Sequence, residues 1–530
     1  MTFENELTVH HYKQRGALEK FHQSYEDAVE SWKAKLPVEK GLIIGGEEVD
    51  TDETFTVTSP GDLEREIGTF ASATPEHVEE AVEAAKEAQS DWEHTPYDER
   101  AEIFEDAADE MRDRKFDLAA LMTLENGKNR EEAMADIDEA IDFLDFYSAE
   151  LRRHKGYVYD TGKVPPGQHT TNMLRPYGVF GVISPFNFPG AIFAGMSTGA
   201  LITGNAAVLK PASATPLIAH EIFEIYREAG LPEGVGNVVT GSGRETGQPI
   251  VEHEDVDGVV FTGSRTVGTH AEETFLEQGK RGPVIAELGG KNSVIVTDEA
   301  DLDKAVPGVK NGAFGFSGQK CSATARVYVD ESLVDEFTER LVEETEENTP
   351  VGPPEERETM ISPVIDEDSL EHYQAIVETA EEDGEVLVGG EVLDEGELGK
   401  GRFVAPTVVR DIPHDHELAR EEHFLPFVTI HPISSLDEGI EKANDSDYAL
   451  CAGLFSENEE EIERWFDEIE SGMTYVNRHI SATTGALVQA QPFGGWKFSG
   501  TTGKFAGGYW YLPQFMKEQS RTVVKQPDEE

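Results

Sequence analysis

From Gly178 onward, short apolar runs alternate with stretches whose apolar residues recur at helical spacing. The runs at 178–184, 206–209, 235–239, 258–261 and 284–286 predict strands, each bounded by Gly, Pro or polar residues. Between the second and third, Thr215-Pro216 opens a helix, Leu217, Ile218, Ile222, Ile225 and Tyr226 share one face, and Gly230 ends it. This alternation predicts parallel sheet covered by helices on both faces. A second such series runs from 293 to about 471, with strand candidates at 294–296, 326–329 and 427–431. Upstream the pattern is helical. Thr74-Pro75 is an N-cap with proline at the first helical position, followed by Val78, Val82, Ala85 and Trp92. Asp98 opens another helix, with Ile103, Phe104, Ala107, Ala108 and Met111 on one side. The segment 154–176 alternates polar and aromatic residues around Gly162 and Pro165-Pro166-Gly167, which predicts a hairpin or projecting arm. The polar end, 523–530, is expected to fray.

Length and charge then restrict the possibilities. A chain of 530 residues is too long for one ordinary core, so two or three structural units are expected. Residues 176–209 carry no charge, but Pro185, Pro189, six glycines, Asn187 and Asn205 interrupt them, so they read as buried strand, turn and helix rather than a membrane span. Against 44 Lys and Arg stand 105 Asp and Glu, a net charge of −61. That excess repels nucleic acid and anionic membrane surfaces, which are bound by cationic side chains. Hydrophobic residues still make up 38% and are periodic, so the acid is expected to coat a folded surface. Self-repulsion destabilises such a surface in dilute buffer, whereas at 1 M salt screening shortens to about 3 Å. A salt-rich cytoplasm is therefore expected. Two cysteines, Cys321 and Cys451, form no disulfide framework and fit a reducing compartment. The first residues have neither the basic start nor the apolar run of a signal peptide.

Three residues stand out chemically. Cys321, in Gly318-Gln319-Lys320-Cys321-Ser322-Ala323, has poor core neighbours, and Lys320 is expected to lower its thiol pKa. Cys451 has small apolar neighbours and reads as structural, as most lone cysteines do. Glu287 ends an apolar strand, where a carboxylate opens into the ligand crevice and suits a general base; the competing expectation is an ion pair with Lys291. Asn187, in Pro185-Phe186-Asn187-Phe188-Pro189, is a primary amide among apolar residues, fit either to stabilise an oxyanion or to cap the following helix. Lys210-Pro211 ends a strand. Gly241 to Gly247 and Gly263 to Gly268 follow strands without the G-x-G-x-x-G spacing of a dinucleotide fingerprint, and either is compatible with a tight strand–helix turn. His414-Asp415-His416 lacks further ligands and reads as a polar turn, so no metal is expected.

In their order, Pro185 to Pro189, Lys210-Pro211, Phe261-Thr262-Gly263-Ser264, Glu287 to Lys291, Gly318 to Cys321, Glu421 to Phe424 and Pro492 to Gly495 resemble the aldehyde dehydrogenase superfamily over residues 42–508. The resemblance implies an α/β fold of two doubly wound parallel-sheet domains with a β-hairpin oligomerisation arm. Residues 1–153 and 177–288 would form the NAD-binding domain, 289–490 the catalytic domain, and 154–176 with 491–530 the arm and C-terminal segment. It implies Cys321 as nucleophile, Glu287 as base and Asn187 as oxyanion donor. For the cofactor it implies Lys210 at the adenosine ribose, Ser264 near the pyrophosphate, and Glu422 with Phe424 at the nicotinamide riboside. Ile183, Pro185, Phe186, Ser213, Gly243, Gly247, Phe261, Gly263, Val267 and Leu288 would complete that crevice. NAD is the expected cofactor, with NADP possible, because Ser213 neither repels nor grips a 2′-phosphate.

Within the superfamily, Gly315 to Ala323, Val476-Asn477-Arg478 and Thr484 to Val488 are most similar to the 1-pyrroline-5-carboxylate dehydrogenases. That similarity implies L-glutamate γ-semialdehyde as substrate and glutamate as product, in proline degradation. Ser322, Gly485 and Ala486 would hold the α-carboxylate, Glu139 the α-amino group, and Phe188 and Phe493 the aliphatic part. Another semialdehyde, a simple aldehyde, or a catalytically silent protein of the same fold are the alternatives. A homodimer or larger homo-oligomer is implied.

Overall fold

The computed structural model of the chain describes residues 3–164, 167–479 and 487–524. Two seven-stranded sheets organise it. In the first, the spatial order is Val284–Glu287, Gly258–Thr262, Val179–Ile183, Ala206–Lys210, Gly236–Val238, Leu42–Ile44 and Glu47–Val49. The first five strands are mutually parallel, and each lies within two residues of its predicted limits. The last two add antiparallel. Chain order reverses direction between Val179–Ile183 and Gly258–Thr262, the switch point at which a doubly wound sheet opens a crevice. The second sheet runs Glu385–Val388, Thr407–Arg410, Phe427–Ile433, Thr324–Asp330, Asn292–Val296, Cys451–Phe455 and Met473–Val476, parallel except at its first edge. The antiparallel edges were not predicted; pieces such as Leu42–Ile44 are too short to show a period.

Helix Pro75–Trp92 begins at the predicted cap, where Thr74 and His77 form a capping box, and Val78, Val82, Ala85 and Trp92 are buried. Helix Tyr97–Asp113 starts one residue before Asp98, because Pro96 serves as its N-cap. All five face residues of helix Pro216–Glu228 are buried, and Gly230 follows at φ +103°. Helix Ala191–Ile202 is buried along nearly its whole length, which accounts for the uncharged run without a membrane. Among the described residues no helix is long and apolar enough to cross one.

Strands Val158–Val164 and Gln168–Pro176 form the predicted hairpin. Strand Met516–Val524 adds to its other edge, with Val523 opposite His169 and Val524 opposite Gln168. Fraying from 523 is therefore corrected: these two residues are ordered by a partner strand some 350 positions away, which no local pattern reveals. Val158, Tyr159, Val164, Val523 and Val524 leave apolar surface exposed on this three-stranded ribbon.

Candidate active site

Parallel strands deliver their carboxyl ends to one side of a sheet. Ile183, Lys210, Thr262 and Glu287 are the last residues of four neighbouring strands of the first sheet. The short link Leu288 to Lys291 then enters the second sheet at Asn292. Cys321 follows the turn Gly315–Gly318, in which Phe316 and Ser317 adopt left-handed φ of +49° and +53°. Such backbone is strained for non-glycine residues. It is held by a hydrogen bond from Ser317 Oγ to the Ser362 carbonyl and by Gln319, whose Oε1 accepts from Ile365 N at 2.9 Å.

A cavity of about 740 Å³ opens here, and Cys321, Glu287, Glu139, Phe188, Ser322 and Phe493 all line it. Asn187, 3% exposed, precedes Phe188 on the turn into helix Ala191–Ile202. It does not cap that helix: Gly190 is the N-cap, and the first-turn Ala191 N donates instead to Asp136 Oδ1 at 2.6 Å. The Asn187 amide has no hydrogen-bond partner among the described residues. Gly485 and Ala486 lie outside the described residues.

The electrostatics correct one expectation. Burial pushes the Cys321 thiol well above its ordinary value, and the carboxylates of Glu422 and Glu287 add to the shift. Lys320 does not lower it, because its Nζ lies 2.7 Å from Glu132 Oε1 and its charge is spent there. Burial likewise raises Glu287 well above the ordinary carboxyl range, against one backbone hydrogen bond from Gly495. Its Oε2 has no partner among the described residues. Lys291, its alternative partner, instead donates to the Leu418 carbonyl at 2.9 Å. A half-buried thiol and a half-buried carboxyl with one unpartnered oxygen among the described residues, on one cavity, are equipped for nucleophilic attack and proton abstraction. Cys451 is buried in its strand and packs in the core of the second sheet.

Beside this cavity, the cofactor candidates fall along the same strand ends. Lys210 is buried, donates among the described residues only to the Pro211 carbonyl at 3.1 Å, and is lowered by burial to about 8. The Ser213 hydroxyl donates to Gly241 O at 2.8 Å. Gly243 and Gly247 bound one turn of π-helix, and a Cβ on Gly247 would stand 3.5 Å from the Lys210 stem. Ser264 caps helix Arg265–Glu277 through Val267 N, and Val267 itself is 48% exposed. Gly263 N donates to Glu287 O at 3.2 Å and packs against the Phe261 ring, while Gly268 packs against Leu288. Across the crevice, Glu422 accepts from Gly290 N at 2.8 Å, and burial raises it to about 7. Gly289 makes room for it, since a Cβ there would lie 1.9 Å from Glu422 Oε2. Phe424, at φ +60°, sets its ring edge-on to Phe186 at 5.8 Å, next to Pro185 and beyond Ile183.

Glu139 is raised to about 8, by burial first and by the neighbouring Asp136 second, so it is not the solvated surface acid its helix pattern allows. His414 and His416 lie in a turn and pair with Asp445 and Asp383, and no metal-holding cluster occurs among the described residues. Sequence reasoning passed over Lys128, which is fully buried beside Phe188, and assigned no role to Arg478, which lines the cavity. The polar group Glu125-Asn126-Gly127-Lys128 directly after the apolar run 118–124 was the available signal. Leu7 also lines the cavity, from a segment that carries no signal at all.

The aldehyde dehydrogenase family pattern matches residues 48–520. The chain is 39% identical over 510 residues to the 1-pyrroline-5-carboxylate dehydrogenase of Geobacillus sp. (strain WCH70), covering 94% of this chain and 96% of that one. Among solved structures, 1-pyrroline-5-carboxylate dehydrogenase from Thermus with bound NAD superposes with a TM-score of 0.92 at 35% identity, over 99% of both chains. Proline utilization A from Bdellovibrio bacteriovorus gives 0.93 at 36% identity, over 99% of this chain but 54% of that longer one.

Proposed function

The chain belongs to the aldehyde dehydrogenase family, and from that premise we propose that it oxidises L-glutamate γ-semialdehyde, the open form of 1-pyrroline-5-carboxylate, to glutamate with NAD. The reading is carried by one observation: a single cavity joins Cys321, Glu287 and the raised acid Glu139. In this reading the Cys321 thiol yields its proton to solvent and the thiolate Sγ attacks the aldehyde carbon, forming a tetrahedral oxyanion. The Asn187 amide and the Cys321 backbone N–H donate to that oxygen, and one such donor is worth about 10²–10³ in rate. Collapse leaves a thioester on Cys321. Glu287 then takes a proton from water, the resulting hydroxide attacks the thioester, and glutamate leaves as the thiol is restored. Glu139 pairs with the substrate α-ammonium, Ser322 contributes to holding the α-carboxylate, and Phe188 and Phe493 flank the methylenes.

The residues present fit a nicotinamide dinucleotide. Among the described residues Lys210 is a buried ammonium without a carboxylate partner, and Glu422 is a half-buried carboxylate with one backbone donor, placed in a cradle that a Cβ on Gly289 would fill. Lys210 would hold the adenosine ribose, Ser264 would lie near the pyrophosphate, and Glu422 with Phe424 would hold the nicotinamide riboside. When bound, NAD supplies the acceptor for the hydride that leaves the substrate carbon. We further propose that the ribbon of Val158–Val164, Gln168–Pro176 and Met516–Val524 is covered by a second copy, and that the protein works in a salt-rich cytoplasm. The test is NADH formation with pyrroline-5-carboxylate beside succinic semialdehyde and propionaldehyde, for wild type and Glu139→Gln. Preference for pyrroline-5-carboxylate, weakened in the variant, is expected; equal turnover of all three by wild type refutes the substrate assignment.

A further inference from the structure

Lys128 and Asp136 are both fully buried, and their side chains meet at 2.6 Å. A buried ion pair costs several kcal/mol in desolvation and is weak evidence for stability, so its surroundings matter more than its presence. Asp136 uses its other oxygen to accept from Ala191 N at 2.6 Å, at the start of the helix that follows Asn187. The neighbouring Asn126 Nδ2 donates to the Phe186 carbonyl at 2.6 Å, immediately before Asn187. The turn carrying the Asn187 amide is thus gripped at both ends from one side.

The ammonium reaches further. Lys128 Nζ lies 3.5 Å from the centroid of the Phe188 ring and 5.0 Å from that of Phe316. Phe188 directly follows Asn187, whereas Phe316 belongs to the left-handed turn that leads to Cys321. One cation therefore contacts aromatic faces from both loops, a contact strengthened where water is excluded. The two loops come from different sheets and have no covalent reason to keep a fixed spacing.

We propose that Lys128, held by Asp136, is a positioning residue that sets the Asn187 amide against Cys321. It touches neither substrate nor cofactor, and its effect on the reaction passes through Asn187. This inference rests on the aldehyde-oxidising reading of Cys321 and Asn187; absence of NADH formation by wild type with any aldehyde would sink that reading instead.

The experiment is a double-mutant cycle on the full-length enzyme, with Lys128→Met, Asn187→Ala and the combination, read as the pre-steady-state rate of NADH formation. Lys128→Met keeps the stem and removes the charge. A displacement of about 1 Å can cost about 100-fold, so a loss of about 10- to 100-fold in the acylation rate is expected, with NAD affinity unchanged. In the Asn187→Ala background the same substitution is expected to cost less than about 3-fold, because the donor it places is gone. If Lys128→Met does not fold, Lys128→Met with Asp136→Asn removes the charge pair together and takes its place in the cycle. An acylation rate within about 3-fold of wild type, or a full loss repeated in the Asn187→Ala background, overturns the proposal.

Discussion

Glu422→Gln tests the cofactor crevice through a property measurable without turnover. Glu422 is raised from 4.5 to about 7 by burial, with the Gly290 N–H and the Lys291 charge opposing. A carboxyl whose folded pKa exceeds its unfolded value binds its proton more tightly when folded. Its contribution to stability is therefore full below about pH 4.5, declines as pH rises toward 7, and stays lost above. Each pH unit in that interval is worth about 1.4 kcal/mol, so ionising Glu422 costs the cofactor-free fold at most about 3 kcal/mol at pH 8, less whatever cavity water screens. Glutamine keeps an oxygen for the Gly290 N–H and has no charge to desolvate. The variant is expected to be more stable than wild type at pH 8, by up to about 3 kcal/mol, with the difference vanishing near pH 4.5. Urea unfolding at fixed high salt, at four pH values between 4.5 and 8, measures this directly. In the proposed reading NAD ribose hydroxyls donate to the ionised carboxylate, so saturating NAD should stabilise wild type more than the variant and close the gap at pH 8. A variant less stable than wild type at pH 8, or a difference that does not change with pH, refutes the reasoning.

Four further outcomes are expected. Glu287→Gln should leave a burst of NADH equal to the active sites but slow steady-state turnover by about 10²–10⁴, as measured by stopped flow, since only thioester hydrolysis loses its base. The same substitution removes one of the charges that raise Cys321, so the pH midpoint for alkylation of Cys321 should fall. Asn187→Ala should lower the acylation rate by about 10²–10³ with little change in the stability midpoint, because its amide has no partner to lose among the described residues. With a net charge of −61, the urea midpoint should rise steadily from 0.1 M to 2 M sodium chloride, and a flat profile would speak against a surface built for high salt.

Much of the architecture is local and was legible. Thr74-Pro75 and Thr215-Pro216 announce helix starts because the preset φ of proline, joined at Thr74 by a capping box, acts within four residues, and the five parallel strands are apolar because both of their faces are covered. Glu287 was readable as a site residue from its place at a strand end, and Cys321 from neighbours unsuited to a core. Other features were decided only by distant partners. The strand through Val524 exists because Gln168–Pro176 offers it an edge, and the antiparallel Leu42–Ile44 because Gly236–Val238 does. Lys320 beside Cys321 in the chain suggested a lowered thiol pKa, yet in space it answers to Glu132, and the thiol is governed by burial and two carboxylates. Chain neighbours report backbone preference and capping, which span a few residues. Desolvation and charge depend on everything within several ångströms, and only the folded arrangement of Lys128, Phe188 and Phe316 around one cavity specifies that.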